Sequence, residues 1–168
     1  MATITLGGNK IETSGSLPSV GSKAPNFELV AIDLSTKTLN DFNGTNIILN
    51  IFPSVNTRVC SASVRAFNKT AASLDNTKVL CVSRDLPFAQ KEFCAAEGIE
   101  NVIMLSDFKS GAFGKAYGLM ISGGNFDALH SRCIVVIDKN GTVIYTEQVS
   151  EIGNEPNYEA ALKALENA

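Results

Sequence analysis

Within the stretch FPSVNTRVC, Phe52 to Cys60, three residues have the types and spacing of a thiol reaction centre: Pro53, Thr57 and Cys60. A thiol becomes a strong nucleophile when it ionises, and the first turn of a helix favours ionisation through its unpaired N–H groups and the positive end of its dipole. The following SASVRAFNKTAASL carries Val64, Phe67, Ala71 and Leu74 at helical spacing, so Cys60 lies where a helix begins, with the Thr57 hydroxyl three residues earlier on the same face. The same periodicity supports a plainer reading. Cys60 precedes Val64 by four positions and Phe67 by seven, which puts it on the buried stripe, where cysteine behaves as a small hydrophobe.

The other candidates divide by context. If residues 87 to 97 are helical, the apolar stripe is Leu86, Ala89, Phe93 and Ala96, and Cys94 falls off it beside Gln90 and Lys91, which predicts an accessible thiol. Cys81 in KVLCVS and Cys133 in RCIVVI sit in strand-like apolar runs and read as core. Arg132, by residue type alone, reads as a solvated charge at a strand start. His130, the only histidine, raises a Cys-His hydrolase in which imidazole activates Cys60, although a lone loop histidine is ordinarily solvated. No Cys-x-x-Cys is present for a disulfide reductase, and no cysteine pair has zinc-knuckle spacing, so neither metal nor cofactor is expected. The segment LMISGGNF offers Met120, Ile121 and Phe126 either as an interaction loop of a binding module or as the apolar lining of a substrate site.

Positioning such residues requires a sheet. IILNIF and KVLCVS are nearly continuous apolar runs separated by the Thr57 helix, the pattern of a parallel βαβ unit buried on both faces. ITLGGNKIE reads as an N-terminal hairpin, NFELVAI and TKTLNDF as a weaker pair, and LPFAQKEFCAAEG as a helix opened by Pro87 and stopped by Gly98. NVIML reads as a short strand and SGAFGKAYG as a glycine-punctuated helix. RCIVVIDKNGTVIYTE gives two strands around DKNG, and EPNYEAALKALENA an amphipathic closing helix. This order is that of a thioredoxin fold: an α/β single domain spanning 1–168, a central mixed sheet flanked by helices, with a hairpin extension. With 17 acidic against 14 basic residues and a charge of −3, no basic stripe suits nucleic acid. No run is long enough to span a bilayer, and the N-terminus lacks a basic region followed by an apolar one, so a cytoplasmic protein is expected.

PSVNTRVC matches the Pro-x-x-x-Thr-x-x-Cys motif of peroxiredoxins at Pro53, Thr57 and Cys60, and Arg132 stands where that family has its active-site arginine. LNIFPSVNTRVCSASVRAFN, DLPFAQKEFCAAEG and the hairpin are similar to the bacterial thiol peroxidase subfamily over essentially the whole chain. Asn56 replaces the usual aspartate, and Arg58 a small residue or proline. The resemblance implies a peroxidatic Cys60 and a resolving Cys94 in an intramolecular two-cysteine cycle that reduces hydrogen peroxide and organic or lipid hydroperoxides. It also implies thioredoxin as reductant, a homodimer and a role in antioxidant defence. A lower thiol pKa alone accelerates little. Moving one from about 8.5 to about 6 raises the thiolate fraction at pH 7 roughly 30-fold, and the accompanying loss of nucleophilicity returns about tenfold. Such a site must act mainly on the transition state, a task for Arg132 and Thr57, with Pro53 shaping and shielding the pocket.

Overall fold

Gly7 and Gly8 both adopt positive φ, 58° and 81°, a conformation that side chains resist, and they reverse the chain between β1 (Thr3–Leu6) and β2 (Asn9–Thr13). The computed structural model describes all 168 residues. β3 (Glu28–Ala31) and β4 (Thr36–Thr38) form the second pair, and the residues after β4 coil into a 3-10 turn over Leu39–Phe42. The βαβ unit follows as β5 (Asn46–Ile51), α1 (Arg58–Ala71) and β6 (Thr77–Ser83), with β5 and β6 parallel in register from Asn46 opposite Thr77 to Ile51 opposite Val82.

α2 (Pro87–Glu97) has Pro87 in its first turn and Gly98 at φ 66° as its left-handed cap, as the sequence predicts. β7 (Ile103–Ser106), the five-residue α3 (Ala112–Ala116) and β8 (Ile121–Ser122) lead to the hairpin of β9 (Cys133–Ile137) and β10 (Val143–Gln148), and α4 (Tyr158–Glu166) closes the chain. The main sheet runs β10-β9-β5-β6-β7-β3-β4, and β1-β2-β8 form a small second sheet. The architecture is the thioredoxin fold with an N-terminal hairpin extension.

Alternation along the strands divides the core. Ile47, Leu49 and Ile51 face one side with Phe113 and Tyr117 of the α3 region; Ile48 faces the other with Val64 and Phe67 of α1, Cys94 of α2 and Ala161 of α4. α2 turns a different face inward from the one its apolar spacing predicts. Its buried residues are Pro87, Gln90 and Cys94, while Leu86 and Phe88 stand exposed. Gln90 determines the rotation, because its Nε2 donates to Ser83 Oγ (3.1 Å) and the Leu105 carbonyl (2.9 Å) inside the protein. A buried amide paired to the sheet displaces the apolar stripe as the inward face, and Cys94, one turn on, goes in with it.

Candidate active site

After β5 the chain passes through buried Phe52 and Pro53 into a tight turn. The Ser54 carbonyl accepts from the Thr57 amide (3.2 Å) and the Thr57 hydroxyl (3.1 Å), which fixes Thr57 in extended backbone as the N-cap of α1. The Thr57 hydroxyl is thus held by the turn, and no side chain caps the helix, leaving first-turn N–H groups open. Cys60, the third residue of α1, is fully buried.

Sheet register delivers the second component. β9 is antiparallel to β5 with Ile51 opposite Cys133, so Arg132, just before β9, arrives beside the chain just after β5. Its guanidinium is buried, contrary to the solvated charge its type suggests. Nη2 lies 3.3 Å from Cys60 Sγ, Nε donates to the Ile152 carbonyl (2.9 Å), and Nη1 has no partner. A buried donor without an acceptor is costly and marks a place where a ligand oxygen is welcome.

The segment carrying Ile152 is anchored by Glu151. Its carboxylate accepts from Thr5 Oγ1 (2.7 Å) and from the amides of Gly7, Gly8 and Gly153 (3.1 Å each). These bonds, led by the one from Thr5, draw its pKa down to about 2. The hairpin turn, Glu151, Ile152 and Arg132 therefore form one chain of contacts ending at Cys60 sulfur.

A pocket of about 140 Å³ opens over this cluster, lined by Pro53, Thr57, Val59 and Arg132 and walled by Leu6, Phe126 and Ile152, with Arg58 also lining it. Of the three apolar residues expected at a substrate site, Phe126 reaches the pocket. Ile121 packs with Ile4 and Ile152 behind its wall, and the Met120 methyl lies against the α3 turn at Gly111 and Gly114. Leu6, Glu151 and Ile152 carry no local sequence signal, because the sheet and the Glu151 bonds bring them in from far along the chain.

All four cysteines are free and buried. Cys94 is 9% exposed rather than accessible, and burial pushes its thiol up. It borders a different pocket with Ile32, Ile99 and Met104. Cys81 and Cys133 are core, and burial pushes both thiols up to about 12. His130 is also corrected: it is fully buried, its Nε2 2.9 Å from Asp107 Oδ2, and it makes no bond to Cys60. The carboxylate partner and the contact with Phe113 offset part of the cost of burial, while Nδ1 has no partner.

Known proteins share both the sequence and the fold. The Redoxin family model matches residues 19–162. The chain is 56% identical to the thiol peroxidase of Mycobacterium tuberculosis over 165 residues, 98% of this chain and 99% of that one. It is 51% identical to the thiol peroxidase of Corynebacterium glutamicum over the same shares. Among solved structures, a peroxiredoxin-like protein from Aquifex aeolicus superposes with a TM-score of 0.93 at 36% identity, covering 100% of this chain and 98% of that one. A thiol held against a buried arginine at a helix start, on this fold and at this identity, makes the chain a member of the redoxin family and, within it, a peroxiredoxin of the thiol peroxidase type.

Proposed function

We propose that Cys60 is the peroxidatic nucleophile and that Cys94 resolves it within the same chain. The observation that carries the reading is the Arg132 guanidinium, 3.3 Å from Cys60 Sγ through Nη2 and unpartnered at Nη1. Cys60 thiolate attacks the near oxygen of a hydroperoxide ROOH. The S–O bond forms as the O–O bond breaks, sulfur is oxidised to sulfenic acid, and the departing RO⁻ takes a proton to leave as ROH. Negative charge grows on the departing oxygen, where a fixed guanidinium donor in a water-poor site is worth far more than in bulk solvent.

Cys94 sulfur then displaces the sulfenic oxygen, forming the Cys60–Cys94 disulfide and releasing water. A thioredoxin-type dithiol reduces that disulfide, becoming oxidised itself and returning both thiols. The apolar walls at Leu6, Val59, Phe126 and Ile152 favour organic and lipid hydroperoxides alongside hydrogen peroxide.

The test is a peroxide assay coupled to thioredoxin, thioredoxin reductase and NADPH. Cys60→Ser is expected to lose all turnover, and Cys94→Ser to lose cycling while its Cys60 still reaches sulfenic acid. Sustained cycling by Cys94→Ser would remove Cys94 from the mechanism.

A further inference from the structure

We propose that Asp85 is a latch that ties the two cysteine-bearing segments together and sets the rate at which Cys94 reaches oxidised Cys60. The proposal rests on the two-cysteine cycle above. Asp85 lies in the connection between β6 and α2, and its carboxylate reaches across to the turn that precedes α1. Oδ1 accepts from Ser54 Oγ (2.7 Å), and Oδ2 accepts from the Val55 amide (2.8 Å). Ser54 is the residue whose carbonyl holds the amide and hydroxyl of Thr57, the N-cap of the Cys60 helix.

On the other side, Oδ2 also accepts from Ser83 Oγ (2.6 Å), and that hydroxyl in turn accepts from Gln90 Nε2 (3.1 Å). Gln90 sits one helical turn before Cys94 on the buried face of α2. Ser106 Oγ donates to the Asp85 carbonyl and fixes the connection to β7. One carboxylate thus joins the start of α1 to the buried face of α2. The other side-chain ties between these segments lie farther along the two helices, away from the turn that precedes Cys60. Arg65 and Glu97 pair at 3.2 Å with both side chains more than a third exposed, and Asn68 accepts from the Glu100 and Asn101 amides beyond the end of α2.

Cys60 and Cys94 are both buried free thiols on the same core face, Cys60 against the Arg132 guanidinium and Cys94 beside a second pocket with Ile32, Ile99 and Met104. Joining them requires Cα atoms within roughly 7 Å with the Cβ vectors turned toward each other. Bringing the two sulfurs into that geometry moves the segments that carry them, and the part-buried, charge-assisted Asp85 bonds resist the movement. Asp85 is a positioning residue: it holds the Cys60 turn in its peroxide-ready form and delays resolution.

Asp85→Asn removes the negative charge and leaves one acceptor oxygen where the carboxylate has two. Reduced protein is mixed with one equivalent of hydrogen peroxide, quenched in acid, alkylated and read by mass spectrometry for Cys60 sulfenic acid and for the Cys60–Cys94 disulfide. Asp85→Asn is expected to form the disulfide about tenfold faster than wild type, the effect of losing a charge-assisted bond, and to accumulate less sulfinic acid in excess peroxide. Ser54→Ala should accelerate it less, in the same direction, and decides the matter if Asp85→Asn does not fold. Val143→Ala, a cavity in the opposite core face, controls for general destabilisation and should not accelerate the step. Sulfenic acid formation with an unchanged or slower disulfide step in both latch variants, or equal acceleration in Val143→Ala, would overturn the latch alone. Wild-type protein that forms sulfenic acid but never a Cys60–Cys94 bond would overturn the resolving role of Cys94 and the latch together.

Discussion

At the scale of single residues, the proposed peroxidatic role of Cys60 rests on Arg132 being both buried and incompletely satisfied. Its Nε is spent on the Ile152 carbonyl and its Nη2 on Cys60 sulfur, which leaves Nη1 as the donor without a native acceptor. Removing one preorganised donor from a developing oxyanion typically costs 10² to 10³ in rate, so Arg132→Ala should slow oxidation of Cys60 by about 100-fold while retaining all four thiols. Stopped-flow mixing with peroxide across a series of pH values checks this, and rates equal to wild type throughout would remove Arg132 from the transition state. Cys81 and Cys133 behave differently. Burial raises both to about 12, so each remains a thiol in the folded protein when the unfolded chain would ionise it. Their stabilisation is complete below the unfolded value near 9 and is lost as pH rises toward 12. Cys81→Ala and Cys133→Ala should each cost roughly 1 kcal/mol of stability, as small cavities do, and flatten the alkaline fall in denaturation midpoint, with turnover little changed.

At the scale of elements, the hairpin is part of the site through Glu151, which accepts from Thr5, Gly7 and Gly8 and is followed by the residue whose carbonyl holds Arg132. The carboxylate pKa is lowered to about 2, so the anchor is intact above the unfolded value near 4.5 and is lost as pH falls toward 2. Glu151→Gln should reproduce that loss at neutral pH, seen as faster amide exchange across residues 3 to 13 and slower peroxide oxidation of Cys60. Unchanged exchange would mean that strand pairing alone holds the hairpin. The first turn of α1 and the short α2 are the segments expected to open when the disulfide forms. Comparing amide exchange in reduced and oxidised protein checks this, with loss of protection expected around Thr57 to Ser61 and Phe88 to Glu97.

At the scale of the whole molecule, the parts legible in the sequence are those whose cause is local. Continuous apolar runs announce β5, β6 and β9, Gly7-Gly8 and the DKNG turn announce hairpins, and Pro87 with Gly98 bounds α2 to the residue. The rotation of α2 is not legible, because a buried glutamine paired to Ser83 and Leu105 outweighs the apolar stripe. Likewise Pro53, Thr57 and Cys60 declare themselves by spacing, whereas Arg132 meets Cys60 only through the pairing of Ile51 with Cys133, and Asp85 and Glu151 act across contacts that no local pattern encodes. In the proposed cycle one thiol of four, Cys60 against Arg132, meets the peroxide. This is tested most directly by giving prereduced Cys94→Ser and Cys60→Ser proteins one equivalent of hydrogen peroxide and mapping the added oxygen by mass spectrometry with a sulfenic-acid trap. Cys94→Ser should consume that equivalent and carry a single oxygen on Cys60, and Cys60→Ser should consume none; peroxide consumption by Cys60→Ser, or oxygen found first on Cys81, Cys94 or Cys133, would remove Cys60 as the nucleophile.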